Sequence, residues 1–149
     1  MTQLTPEELT LLQEKMPAAL FPEADLRAYA YNRLTPLALC VSQAILEPTI
    51  KVINGGFFVQ WISEENVIDW LSKGCSIEET ERALNRVHVW DFFKRDDSNT
   101  DNEIDELCNK IIYRSWKKEL PRIVGKNVVV FQSSEPDDYG PTITFWVHR

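Results

Sequence analysis

The chain has 149 residues, of which 44% are hydrophobic and 26% are charged, and its net charge is −7. This composition excludes a largely disordered chain and predicts one globular domain over residues 1–149. No apolar run is long enough to span a bilayer and the N-terminal segment is acidic, so we expect a cytoplasmic protein that does not associate with membranes. The acidic charge opposes direct binding to nucleic acid, and the three dispersed cysteines favour neither a disulfide framework nor a zinc site.

The first predicted element is a helix from Pro6 to about residue 16, because Thr5 and Glu8 have the spacing of a capping box. The next apolar run, residues 37–46, has a composition compatible with either a buried helix or a strand. We favour a strand there, with Pro36 at its start.

A hairpin is predicted from the stretch "TIKVINGGFFVQW". Two runs of β-branched and aromatic residues flank Asn54-Gly55, the pair that a type I′ turn requires because both central residues have positive φ. A phosphate-binding loop is disfavoured, since Gly55 and Gly56 lack the third glycine or the Lys-Ser/Thr ending of the known phosphate motifs. The glycine pair is therefore interpreted as a turn.

Two helices follow, the first capped by Ser63 and the second beginning with a capping box formed by Ser76 and Glu79. The second helix is predicted to run through Leu84 toward Phe93. Its later part, "VHVWDFF", is apolar almost all round, so that part is either deeply buried or partly extended.

A third helix is predicted over about residues 101–120, from apolar residues at helical spacing, and the last two runs, "NVVVFQ" and "TITFWVHR", are predicted to pair as a hairpin. The predicted fold class is α+β. We expect an antiparallel sheet of about four to five strands, made from the two hairpins, packed against about three helices.

Catalytic candidates are few. His88 lies three residues before Asp91, close enough on a helix for the carboxylate to orient the imidazole of a general base, but no nucleophile motif accompanies them. A structural histidine is the favoured interpretation. The acidic run over residues 97–105 resembles a calcium loop in its alternation, but Asn102 replaces the turn glycine and Cys108 replaces the bidentate glutamate. No metal or other cofactor is predicted.

The sequence favours recognition without catalysis. Acidic segments interleaved with aromatic residues are typical of small proteins that bind a basic protein partner, such as inhibitors, immunity proteins and antitoxins. The predicted binding residues combine large aromatic or acidic side chains with the polar face of the last strand: Trp70, Trp90, Asp137, Asp138, Tyr139, Trp146 and His148. Two alternatives stay open, which are an enzyme or small-ligand protein with a pocket between sheet and helices, and a homodimer that buries its surplus aromatic residues.

Overall fold

The computed structural model describes residues 3–15, 33–92, 102–133 and 140–149. The chain divides into two compact units, residues 1–45 and residues 46–149. The described ranges contain five α-helices, one 3₁₀ helix and five strands, so the α+β class is confirmed but the helices outnumber the predicted three. No helix in these ranges has the length and apolar content needed to cross a membrane. A single domain over the whole chain stays a prediction.

The helices of the N-terminal part are α1 (Pro6–Lys15) and α2 (Pro36–Leu46). The predicted capping box of α1 is confirmed, because the Thr5 N–H donates to Glu8 Oε2 at 2.8 Å and the Glu8 N–H donates to Thr5 Oγ1 at 3.3 Å. The predicted strand over residues 37–46 is wrong, since this segment is α2. The Ala38 N–H donates to Thr35 Oγ1 at 3.0 Å, so Thr35 caps the helix and Pro36 takes its first position, where the missing N–H costs nothing.

The first hairpin is confirmed as strands β1 (Ile50–Ile53) and β2 (Gly56–Val59). Asn54 has φ 49° and Gly55 has φ 80°, which are the positive values of a type I′ turn. Ile53 pairs directly with Gly56 across this turn, and the two strands are antiparallel over their whole length.

Helices α3 (Glu64–Ser72) and α4 (Ile77–Leu84) have the predicted serine caps, including both hydrogen bonds of the capping box at Ser76. The prediction that α4 continues toward Phe93 is wrong. The chain leaves the helix at Asn85 and forms the short strand β3 (Val87–His88) and the 3₁₀ helix Val89–Phe92. Of the two alternatives for this apolar stretch, the extended one is therefore partly correct.

The C-terminal part contains α5 (Asn102–Ile123), β4 (Val128–Ser133) and β5 (Thr142–Val147), as the helical spacing and the paired apolar runs predict. Trp116 of α5 is fully buried and meets Phe145 of β5 edge to face, with ring centroids 5.8 Å apart. Aromatic pairs of this geometry stabilise a core beyond the area that they bury.

The predicted single sheet is divided into two. β1 and β2 form a two-stranded sheet, and a second antiparallel sheet has the order β3-β5-β4. The alternation of an antiparallel ladder directs the backbone N–H groups of Phe57 and Val59 away from β1. Glu81 Oε1 accepts from the Phe57 N–H at 2.8 Å, and Asn85 Oδ1 accepts from the Val59 N–H at 3.1 Å. Asn85 Nδ2 also donates to the Phe57 carbonyl at 2.8 Å.

The same two side chains also form hydrogen bonds with backbone groups of β5, beyond the residues that pair with β3. Asn85 Nδ2 donates to the Phe145 carbonyl at 3.3 Å, and the Val147 N–H donates to Glu81 Oε2 at 2.8 Å. Glu81 and Asn85 are both fully buried. They therefore supply the hydrogen bonds that a further strand would make to β2 and β5, and they fix α4 to both sheets.

The buried carboxylate of Glu81 also has a cationic partner. Arg149 Nη2 donates to Glu81 Oε1 at 2.7 Å and Arg149 Nη1 donates to Oε2 at 2.9 Å, a bidentate pair. Arg149 Nη2 also donates to the Gly55 carbonyl at 3.0 Å, which ties the turn of the first hairpin to the same group. The hydrogen bond to Glu81 raises the pKa of Arg149.

Candidate functional site

The position of α4 leaves part of one sheet face uncovered. Thr144 Oγ1 donates to the Arg82 carbonyl at 2.7 Å, so α4 lies against β5. On the neighbouring edge strand β4, Phe131 is 46% exposed and Val129 is 38% exposed. Phe131 pairs with Thr144 and Val129 pairs with Trp146, and directly paired residues share a face of the sheet. A strip of apolar sheet surface therefore stays open beside the helix.

Phe131 and Thr144 of this sheet face help to line a groove of about 440 Å³. Its lining residues come from α3, from α4 and the turn after it, and from strands β4 and β5: Trp70, Glu79, Arg82, Ala83, Arg86, Phe131 and Thr144. The groove combines exposed aromatic surface with charged side chains of both signs.

The two arginines of the groove are its main polar groups. The Arg82 guanidinium carbon lies 4.9 Å from the centroid of the Trp146 ring, within the range of a cation–π contact. Neither Arg82 nor Arg86 forms an ion pair with any carboxylate of the described ranges. Within the described ranges, the groove therefore presents two guanidinium groups that have no ion-paired carboxylate.

Glu79, the acidic residue of the groove, is engaged at the start of α4. Its Oε2 accepts from the Ser76 N–H and from the Ser76 hydroxyl, both at 2.8 Å. The hydrogen bond from the Ser76 backbone and, to a smaller extent, the one from its hydroxyl lower the pKa of Glu79 below its ordinary value. The carboxylate is therefore ionised at neutral pH and is unsuited to act as a general acid.

One of the predicted binding residues, Trp70, lines this groove, and a second, Trp146, contacts one of the lining residues. Trp70 lines it at 36% exposure, and Trp146 lies beneath the Arg82 guanidinium. His148 lies apart from the lining, is exposed, and has Nδ1 3.6 Å from Glu78 Oε2. The predicted residues Asp137, Asp138 and Tyr139 lie outside the described residues.

The structure gives Trp90 a packing role. Its indole Nε1 donates to Asp105 Oδ2 at 2.9 Å, which joins the 3₁₀ helix to α5. A Cβ placed on Gly140 would lie 2.5 Å from the Trp90 ring, so the ring packs directly against the glycine backbone. The structure does not bring Trp90 to the groove.

His88 and Asp91, the weak catalytic candidates, are joined through the backbone of His88. The backbone N–H of His88 donates to Asp91 Oδ2 at 3.0 Å, as in the half of a capping box in which an acidic residue at the third helical position accepts from the N-cap N–H. The apolar stretch that favoured a dimer is packed internally at its start, where Val87 and Val89 are buried. Both observations favour structural roles for this segment.

A second concavity of about 560 Å³ lies at the start of α4, lined by Ser76, Ile77, Glu78, Glu79 and Arg149. Its one cation, Arg149, is held by the bidentate pair with Glu81. This concavity therefore offers no uncommitted cation to a ligand. Within the described ranges, no three His, Cys, Asp or Glu side chains are grouped so that they could hold a metal ion.

Sequence reasoning missed the residues that complete the groove. Arg82 follows Glu81 directly and resembles it in polarity, yet Glu81 is fully buried while Arg82 is exposed. Phe131 could have been found by pairing the last two strands, because it pairs with Thr144 on the face that the sequence already marked as polar. The length of the connecting loop, however, does not fix that register.

No protein-family model, no curated protein and no solved structure matches this chain.

Proposed function

We propose that the chain is a non-catalytic binding protein that recognises a basic protein partner, in the manner of an inhibitor, immunity protein or antitoxin, and that the groove beside α4 is its contact surface. The observation that carries this proposal is that exposed Trp70 and Phe131 share one groove with Arg82, which has no ion-paired carboxylate in the described ranges. Tryptophan and arginine are the residue types most enriched among the few side chains that dominate binding energy at protein interfaces.

The charge of the chain supports a basic partner. The net charge is −7, although Arg82, Arg86 and Glu79 together contribute +1 to the groove, so the rest of the chain carries −8. A field of this sign accelerates the approach of a positively charged protein and repels acidic ones, while the aromatic side chains hold the complex once it has formed. Such binding would take place in the cytoplasm.

Capture from the native cell extract tests the proposal, with partners identified by mass spectrometry. The wild-type chain is expected to retain a basic protein at low salt and to release it as salt rises, because salt screens charge attraction over a Debye length of about 8–10 Å. The double substitution Trp70→Ala with Phe131→Ala should abolish retention. The matched control is Ile68→Ala, which truncates an apolar residue of α3 that is 48% exposed and lies outside the groove lining.

Two results would contradict the proposal. Retention of the same protein by the double variant would show that the groove is not the contact surface. Retention that does not respond to salt would remove the argument for a basic partner.

A small ligand is the second candidate, because the groove volume of about 440 Å³ falls within the range of small-molecule sites. The aromatic walls and the two guanidinium groups suit an apolar molecule with a carboxylate. A thermal-shift screen of metabolites separates this candidate from protein binding: stabilisation by a metabolite, lost in Arg82→Ala, would support it.

A homodimer is proposed from a different element. Helix α2 contains no charged residue, and its side chains Leu37, Leu39 and Val41 are at least half exposed. An uncharged apolar helix is the surface on which two copies of an acidic chain can associate without bringing like charges together. Concentration-dependent sedimentation would detect such a dimer.

A further inference from the structure

The groove differs in charge from the chain that contains it. Acidic residues outnumber basic ones by 23 to 16, yet neither Arg82 nor Arg86 has an ion-paired carboxylate anywhere in the described parts of the chain. Arg82 is held in place instead by the Trp146 ring, 4.9 Å from its guanidinium carbon. The ring contact orients the guanidinium plane without using its N–H donors.

The arginines are four residues apart and line the same groove. A guanidinium offers five N–H donors in a planar fork that matches a carboxylate, and this pairing is stronger and more directional than a bond between neutral groups. Phe131 and Trp70 provide apolar surface in the same groove. The complementary ligand therefore carries a carboxylate next to an apolar or aromatic group.

A peptide fits this chemistry better than a polyphosphate. The net charge of −7 and the ionised Glu79 within the groove repel a nucleic acid, whose charges are closely spaced along its backbone. A peptide segment can present one or two carboxylates among neutral side chains and so avoids most of this repulsion. A basic protein can carry such a segment. Its long-range attraction to the chain depends on its total charge, whereas the groove contacts only the few side chains that enter it.

We infer that the segment of the partner that enters the groove is an acidic peptide, in which an Asp or Glu side chain binds Arg82 and Arg86 and a neighbouring aromatic or aliphatic side chain packs against Phe131 and Trp70. This inference rests on the proposed function, since it names the chemistry of the partner at the same groove.

A peptide-display library panned on the immobilised full chain tests the inference. We expect the enriched peptides to contain Asp or Glu within a few residues of Trp, Phe or Leu. The substitution Arg82→Glu should weaken their binding at least about tenfold, because it replaces an attractive charge pair with a repulsive one. The control Arg122→Glu makes the same charge change on α5, where Arg122 Nη1 lies 3.4 Å from Glu119 Oε2 and outside the groove lining.

A charge exchange separates binding from folding. A peptide in which Lys replaces the selected Asp or Glu should lose affinity for the wild-type chain and regain it for Arg82→Glu. A merely misfolded variant would bind neither peptide, and its melting temperature would reveal the loss of structure.

The outcomes distinguish the two proposals. Enriched peptides that are neutral but need Trp70 would overturn the acidic segment and leave the groove as the contact surface. A panel in which no peptide depends on Trp70, Phe131 or Arg82 would overturn both. Competition of the selected peptides by a short oligonucleotide would identify a phosphate-binding groove and would also overturn the inference.

Discussion

Replacing Glu81 with Gln should strongly destabilise the fold, because this carboxylate is the acceptor for four N–H donors. Oε1 accepts from the Phe57 N–H and from Arg149 Nη2, and Oε2 accepts from the Val147 N–H and from Arg149 Nη1. A glutamine amide has a single oxygen. Either orientation of the amide therefore places its NH₂ group against one backbone donor and one guanidinium donor.

The expected loss in the free energy of unfolding follows from these contacts. A buried backbone N–H left unsatisfied costs about 1–3 kcal/mol, and hydrogen bonds to a charged group contribute about 1.5–3 kcal/mol each. The Arg149 side chain is 35% exposed, so water replaces part of the hydrogen bonding that its guanidinium loses in the variant. We expect a loss of about 3–5 kcal/mol in the free energy of unfolding, which corresponds to a fall of roughly 10 °C or more in melting temperature.

Urea unfolding followed by tryptophan fluorescence measures this loss. Glu78→Gln provides the matched control, since it makes the same change three residues earlier on α4 at a side chain that is 36% exposed. We expect the control to stay within about 0.5 kcal/mol of the wild type. Equal stability of the two variants would refute the argument that Glu81 joins the two sheets.

Three further predictions concern other parts of the chain. Burial, with a neighbouring carboxylate, raises the pKa of the Cys108 thiol to about 11. Iodoacetamide at pH 8 should therefore label the exposed Cys40 first and reach Cys108 only after unfolding. Mass spectrometry of timed samples measures this order of labelling. Since hydrogen bonds from Ser76 lower the pKa of Glu79, the stability that they contribute is present above pH 4.5 and is lost as pH falls through the folded-state value. Ser76→Ala removes the hydroxyl and keeps the backbone N–H, so the Glu79 carboxyl should titrate at a slightly higher pH by NMR, and an unchanged midpoint would show that the Ser76 hydroxyl does not lower this pKa. Gly55→Val should lower the melting temperature, because a β-branched residue is strained at φ 80°, and an unchanged melting temperature would contradict the turn.

Local signals predicted much of the fold. The Asn54-Gly55 turn and the capping box at Ser76 depend on residues close together in sequence, and the structure confirms both. The error at residues 37–46 arose because an apolar run has the same composition in a buried strand and in a helix. Pro36 was interpreted as the start of a strand, whereas it is the first residue of a helix that the preceding Thr35 caps.

The remaining features depend on contacts between distant segments. Glu81 and Asn85 resemble surface residues in sequence, and only the outward-facing backbone groups of β2 and β5 explain why both are buried. Trp70, which lines the groove, was selected as an aromatic residue near acidic segments, and Trp146 was selected as part of the polar face of the last strand. Arg82 was missed because its place in the groove depends on the packing of α4 against β5, and these two elements are distant in sequence.

Hydrogen exchange of the chain, alone and bound to the basic protein that it captures, shows whether the groove beside α4 is the contact surface. Binding at the groove predicts slower exchange in α4 and in strands β4 and β5, with α5 unchanged at its exposed basic end around Lys117 and Arg122. Unchanged exchange in α4 and β4, together with protection elsewhere in the chain, would contradict the groove as the contact surface.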